Sequence, residues 1–240
     1  ARTEQKAASL AAIGCTPVIA RATEPDELVG VMDGVEVVIS ALGITRQADG
    51  FGYMEVDYGA NLNLLNEATR AGVERFCYVS VFRGEELATA SSLIGAKQAF
   101  VRALRAVDED PTVASRACVI RPTAFFSDMG DFFQMAASGR AWVLGDGEQQ
   151  VNPISGEDLA RVCVATMEGE LVSEIEVGGP QVLTMNEIAR SAFEALQAPP
   201  KISHLPEWLA RGVGKVLPWI TPRSIHGPVE MFLAMGNHSM

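Results

Sequence analysis

Apolar and polar positions in this chain follow two alternating rhythms. Asp33-Gly-Val-Glu-Val-Val-Ile-Ser-Ala-Leu-Gly43 is a turn, an apolar run and then small residues, and Gly72-Val-Glu-Arg-Phe-Cys-Tyr-Val-Ser-Val81 repeats that scheme. Runs without polar alternation suit strands buried on both faces. Strands are expected at Val35–Ser40, Phe76–Val81 and Arg116–Arg121, the last stopped by Pro122, with shorter ones at Thr16–Ala20, Trp142–Asp146 and Ile175–Val177. Helical spacing lies between them. Ala60, Leu64, Ala68 and Ala71 recur three or four apart within a helix expected over Asp57–Ala71, with Gly72 as its C-cap. Ala96, Phe100 and Leu104 mark the inner face of a helix around Gly95–Val107. Further helices are expected at Thr3–Ala12, Glu24–Met32, Ser155–Met167 and Met185–Leu196, then two short amphipathic ones at Pro206–Val216 and Pro222–Ala234. The stretches Ile44–Met54 and Arg83–Ser92 read as loops.

Strands separated by helices imply a parallel α/β sheet, and such sheets bind ligands beyond the carboxyl ends of their strands. Ser40-Ala-Leu-Gly43 and Ser80 fall at two of those ends. After Thr123 the rhythm changes. Phe125, Phe126, Met129, Phe132, Phe133 and Met135 crowd together, and they fit either an apolar substrate wall or core between a lobe and the sheet. The expected organisation is an α/β core over residues 1–123 and a C-terminal lobe over 124–240, with 151–180 returning to the core sheet.

At 240 residues the chain is long enough for a large core. A net charge of −11 argues against a nucleic-acid surface, although it permits local positive pockets. No apolar run reaches the roughly 18 residues of a membrane span. The four cysteines form no CxxC pair and read as buried thiols of a cytoplasmic protein, and the three histidines show no metal-ligand spacing. The chain begins Ala-Arg-Thr and stops at Met240, so residues are expected to be missing at one or both ends.

Four blocks, Val38-Ile-Ser-Ala-Leu-Gly43, Val56-Asp-Tyr-Gly-Ala-Asn-Leu-Asn-Leu-Leu65, Gly72–Val81 and Ile120-Arg-Pro-Thr123, together resemble the atypical short-chain dehydrogenase/reductases of the NmrA-like, NAD(P)H-binding kind. Asn152-Pro-Ile, Glu157-Asp-Leu-Ala160 and Val177-Gly-Gly-Pro180 fit the same resemblance, which spans most of residues 1–200. It implies a Rossmann-like, doubly wound sheet whose first strand, glycine loop and first helix would lie upstream of Ala1. It also implies NADP, or alternatively NAD, as cofactor.

On this resemblance Arg2 follows the second strand and is placed to pair with the adenosine 2′-phosphate. Arg21 stands where relatives often carry an aspartate. Ser40, Ala41, Leu42 and Gly43 would pass under the cofactor, and Pro122 and Thr123 would reach the nicotinamide. Ser80 and Lys97 match two members of the family's Ser, Tyr and Lys set. The position four before Lys97 is Leu93, so the usual phenolic acid is missing. Tyr78 shares a strand face with Ser80 and reads as a core tyrosine, while Tyr53 and Tyr58 lie near the loop after Gly43 without a supporting motif.

The resulting expectation is an NADPH-dependent oxidoreductase acting on a hydrophobic carbonyl, enone or quinone-like substrate. The alternatives are a dinucleotide-sensing regulator, or a structural subunit similar to the nucleotide-binding accessory subunit of respiratory complex I. In the last case the apolar C-terminal segments, with Trp208, Leu217-Pro-Trp219 and Met231-Phe-Leu233, would dock on a protein partner.

Overall fold

The apolar runs become strands because each has a helix-borne apolar surface to pack against. In chain order the computed structural model contains α1 (Glu4–Ala12), β1 (Val37–Ser40), α2 (Asn61–Ala71), β2 (Arg75–Val79), α3 (Gly84–Leu87), α4 (Ser92–Asp108), β3 (Arg116–Pro122), β4 (Ala124–Phe125), α5 (Gly130–Ala137) and β5 (Ala141–Leu144). There follow β6 (Gln150–Val151), β7 (Pro153–Ile154), α6 (Gly156–Glu168), β8 (Glu174–Val177), β9 (Leu183–Thr184), α7 (Met185–Ala195) and β10 (Ile202–Leu205). The structure describes residues 1–44, 50–113, 115–170, 172–206 and 208. The expected helices at Pro206–Val216 and Pro222–Ala234 therefore lie outside the described residues, apart from Pro206 and an exposed Trp208.

Strands β1, β2, β3 and β8 form one parallel sheet in the order β1–β2–β3–β8. Phe76, Tyr78, Ala117 and Val119 point to one face, against Leu65 and Ala68 of α2 and Phe100, Val101 and Leu104 of α4. Cys77, Val79, Cys118 and Ile120 point to the other, against Leu159, Cys163 and Met167 of α6. Helices on both faces of a parallel sheet make the Rossmann-like doubly wound architecture that the family resemblance implies. Burial on both faces holds for β2 and β3. In the edge strand β1, however, Val37 and Ile39 are 37% and 42% exposed.

Several elements differ from expectation, each for a local reason. Thr16–Ala20 is extended but forms no strand: Ala1 donates to the Val18 carbonyl and accepts from the Ala20 amide, and two bonds to one residue do not make a ladder. The helix expected at Glu24–Met32 shrinks to a single turn at Pro25–Glu27, because Gly30 turns left-handed at φ +81°. The helix over Asp57–Ala71 starts earlier, with a π-turn at Met54–Ala60 running into α2, and ends at the expected Gly72, φ +73°. α3 occupies part of the expected Arg83–Ser92 loop, and β10 is an additional strand parallel to β5.

Phe132, Ala136, Ala141, Val143, Ile188, Ala189 and Phe193 form a separate apolar cluster from α5, β5 and α7. The aromatic crowd after Thr123 is thus divided: Phe132 is core, whereas Phe126 and Phe133 are exposed. Cys77, Cys118 and Cys163 are buried free thiols, while Cys15 is exposed.

Candidate functional site

The end of β1 is fastened to the π-turn by buried polar groups. Ser40 Oγ donates to Asn61 Oδ1 at 2.6 Å, and Asn61 Nδ2 donates to the carbonyls of Leu42 and Asp57 at 3.2 and 2.9 Å. The Ile44 amide donates to Asp57 Oδ2 at 3.2 Å. Asp57 is fully buried and pairs with Lys97 Nζ at 3.1 Å. Gly43 lies directly against this pair. A Cβ there would stand 2.6 Å from Asp57 Oδ1 and 2.9 Å from Lys97 Nζ, so any larger residue would have to displace the ion pair. Burial pushes the Asp57 carboxyl above its ordinary value, and Lys97 and the Ile44 amide offset only part of that push.

Lys97 comes from the first turns of α4, and its side chain is 17% exposed. Its ammonium also lies 5.5 Å from the centre of the Tyr78 ring. Tyr78 is in the core, edge-on to Phe100 at 4.6 Å, and its phenol is held in the neutral form by burial and then by the Asp57 charge. The Tyr78 hydroxyl and Ser80 Oγ are both buried without a hydrogen-bond partner among the described residues. Beside Ser80, the buried Arg121 donates to the Val81 carbonyl at 3.2 Å and to Glu174 at 2.7 Å, fixing the exit of β2.

Two cavities meet at the Gly43–Lys97 contact. The larger, about 640 Å³, is lined by Arg2, Lys6, Arg21 and the whole Ser40–Gly43 stretch. The smaller, about 350 Å³, is lined by Ser80, Leu93, Lys97, Pro122, Thr123 and Asp128 among others. The structure thus sorts the sequence-derived candidates into two groups: Arg2, Ser40, Ala41, Leu42 and Gly43 on one side, and Ser80, Lys97, Pro122 and Thr123 on the other. Arg21 is held by Glu27, which accepts from its side-chain Nε and its backbone amide, both at 2.8 Å. Tyr53, Tyr58 and Tyr78 line neither cavity. Leu93 does line the smaller one, so the position of the usual acid is occupied by an apolar side chain.

Asp57, Asn61 and Asp128 were not singled out from the sequence. For the first two a signal existed: a carboxylate and an amide four apart on the face that also carries Ala60 and Leu64. Asp128 carried none beyond its place in the aromatic stretch.

A family model described as NAD(P)H-binding matches residues 1–170. Among curated proteins, the divinyl chlorophyllide a 8-vinyl-reductase of Arabidopsis thaliana chloroplasts is 29% identical over 179 residues, covering 72% of this chain and 42% of that protein. A mitochondrial NADH dehydrogenase [ubiquinone] 1 alpha subcomplex subunit 9 from the same plant is 23% identical, covering 79% of this chain and 48% of the subunit. The chain therefore spans less than half the length of these relatives. An NADPH-dependent quinone oxidoreductase from Escherichia coli, solved with NADPH, superposes with a TM-score of 0.72 at 16% identity, covering 98% of this chain and 78% of that one. That likeness establishes the shared fold.

Proposed function

The chain belongs to the NAD(P)H-binding family, and from that premise we propose that it is a reductase using NADPH on a hydrophobic enone, quinone-like or carbonyl substrate. The observation that carries this reading is the apposition of the two cavities across Gly43 and Lys97. A cleft lined by cations and by a stretch of small residues suits a dinucleotide. The mostly apolar cavity beyond it suits the reacting part of a flat apolar substrate.

The residues present fit the cofactor on two structural grounds. The carboxyl-end loop of β1 has no bulky side chain between Ser40 and Gly43 except Leu42, and the buried Ser80 hydroxyl has a hydrogen-bonding capacity that nothing among the described residues uses. When bound, the reduced nicotinamide would supply a hydride. Lys97, fixed by Asp57, would hold ribose or phosphate oxygens, and Ser80 would orient the substrate oxygen. Pro122 and Thr123 would close over the reacting end. Support for reduction of a carbon–carbon or quinone system comes from the names of the vinyl-reductase and quinone-oxidoreductase neighbours. A cytoplasmic location remains part of the proposal.

The direct test is NADPH consumption by the purified protein across a panel of enones, quinones and carbonyls. Consumption with at least one apolar acceptor is expected. Tight NADPH binding with no consumption across the panel would instead favour a nucleotide-holding subunit, the reading that Leu93 and the likeness to the NADH dehydrogenase subunit support.

Cofactor choice rests on Arg2 and Lys6, which both line the larger cavity. Charge-assisted bonds to a 2′-phosphate are the strong kind, and a carboxylate there would repel it. Arg2→Glu is expected to weaken NADPH binding at least tenfold while leaving NADH binding within about twofold, as read by fluorescence titration. Equal losses for both cofactors would remove Arg2 from that role.

A further inference from the structure

The cavity that holds Ser80 and Lys97 has no phenol to donate a proton, because Leu93 stands at the usual position. It does contain a carboxyl group. Asp128 lies on a single 3₁₀ turn, Phe126–Met129, immediately after the Pro122–Phe125 segment, and lines the same cavity as Ser80, Lys97 and Thr123. Among the described residues no hydrogen bond or ion pair engages Asp128, so no structural duty accounts for it.

We propose that Asp128 is the proton donor of the reduction, taking the place of the missing tyrosine in the cavity that Ser80 and Lys97 line. This assignment rests on the reductase reading above. The electron-poor carbon of the substrate gains a C–H bond with the cofactor's hydride, which brings both electrons. The substrate π bond breaks toward its conjugated oxygen or α-carbon, which takes the proton as the Asp128 O–H bond breaks. The resulting carboxylate recovers a proton from water, which reaches it because the residue is open to solvent on its outer side.

The surroundings keep this carboxyl protonated to higher pH than an ordinary aspartate. Partial desolvation of the carboxyl at the cavity wall acts first, although the residue as a whole is exposed, and the like charge of Asp131 acts with it. The elements packed against the turn are β4, which has no titratable side chain, and α5, whose only charged residue is Asp131. Across the cavity the facing cation is Lys97, which is engaged by Asp57.

The test combines kinetics with a measurement that needs no turnover. In protein carrying ¹³C-carboxyl aspartate, the Asp128 resonance, assigned by its loss in Asp128→Asn, is expected to titrate above the ordinary aspartate range. It should move toward that range in Asp131→Asn. Asp128→Asn is expected to lower kcat at least 100-fold, the low end of general acid catalysis, with NADPH affinity and KM within about twofold. Wild-type kcat is expected to fall as pH rises through the measured Asp128 value, and Asp131→Asn should shift that fall to lower pH. An active wild type with an equally active Asp128→Asn, or an Asp128 that titrates as an ordinary aspartate, overturns the assignment and leaves the reductase reading standing. A wild type that binds NADPH but reduces no acceptor overturns both.

Discussion

Replacing Lys97 with methionine is expected to weaken NADPH binding at least tenfold and to cost the fold roughly 3–5 kcal/mol near neutral pH. Methionine keeps the apolar stem in place beside Tyr78, so the loss isolates the ammonium. Two separate consequences follow from its removal. The cavity side loses the cation next to Gly43 and Ser80, which lowers affinity for an anionic, hydroxyl-rich ligand. The buried side leaves the Asp57 carboxyl with backbone amides, those of Ile44 and of Asp57 itself, and no cation to face it among the described residues. An isolated carboxylate in a fully buried site is costly and responds by holding its proton.

The pH dependence of that loss has a definite sign. Asp57 already has a raised value in the folded protein, and Lys97 is the strongest influence opposing that rise. In the variant the rise is greater. An acid whose folded value exceeds its unfolded one destabilises the fold at high pH: the unfolded chain releases the proton first, and stability declines as pH climbs through the folded value. Urea unfolding at pH 5 and pH 8 is therefore expected to show a gap between wild type and Lys97→Met that widens at pH 8. Adding Asp57→Asn to the same chain should recover much of the stability but none of the NADPH affinity. A gap independent of pH, or a double variant no more stable than the single one, would refute the buried-pair account.

What could be read from the sequence and what could not divide along physical lines. The central strands were legible because β2 and β3 are apolar on both faces, and α2 and α7 because their caps are local: Gly72 at one end and the Thr184–Glu187 capping box at the other. Val37 and Ile39 look like buried strand residues on paper, yet exposure at the sheet edge depends on neighbours that no local pattern records. Thr16–Ala20 has strand composition and is extended, with Val18 and Ala20 bonded to Ala1. β10 was missed because its partner β5 lies about sixty residues earlier, beyond the range of any periodicity. In the site, small residues at strand ends betray a floor by their size alone. Asp57 and Asn61 share a helix face with Ala60 and Leu64, yet that spacing competes with their polar type, since polar residues on a helix usually face water. Only the tertiary contact between the π-turn and the β1 exit shows that they face inward.

The second large effect is expected far from any charge. Gly179→Ala should lower stability by about 3 kcal/mol, or about 10 °C in Tm for a chain of this size. A Cβ on Gly179 would lie 1.9 Å from the Pro153 carbonyl oxygen and 2.9 Å from its carbon, both backbone atoms that no rotamer change can move aside. The segments must separate, and their separation breaks a set of bonds at one junction. Asn152 Nδ2 donates to the carbonyls of Gly179 and Gln181, each at 2.9 Å, while the Thr123 hydroxyl donates to the Asn152 carbonyl and the Thr123 amide to that of Val177. Gly34→Ala is the matched control: it has φ +76° and nothing within 4 Å, so it should cost only the left-handed strain of roughly 1–2 kcal/mol. The junction also bears on function, because Thr123 lines the smaller cavity. In the surviving folded fraction of Gly179→Ala, KM for the apolar acceptor should rise while NADPH affinity, set at the far cavity, stays within about threefold. If Gly179→Ala melts no lower than Gly34→Ala, the close approach of these two backbones is not what holds β7 against the end of β8.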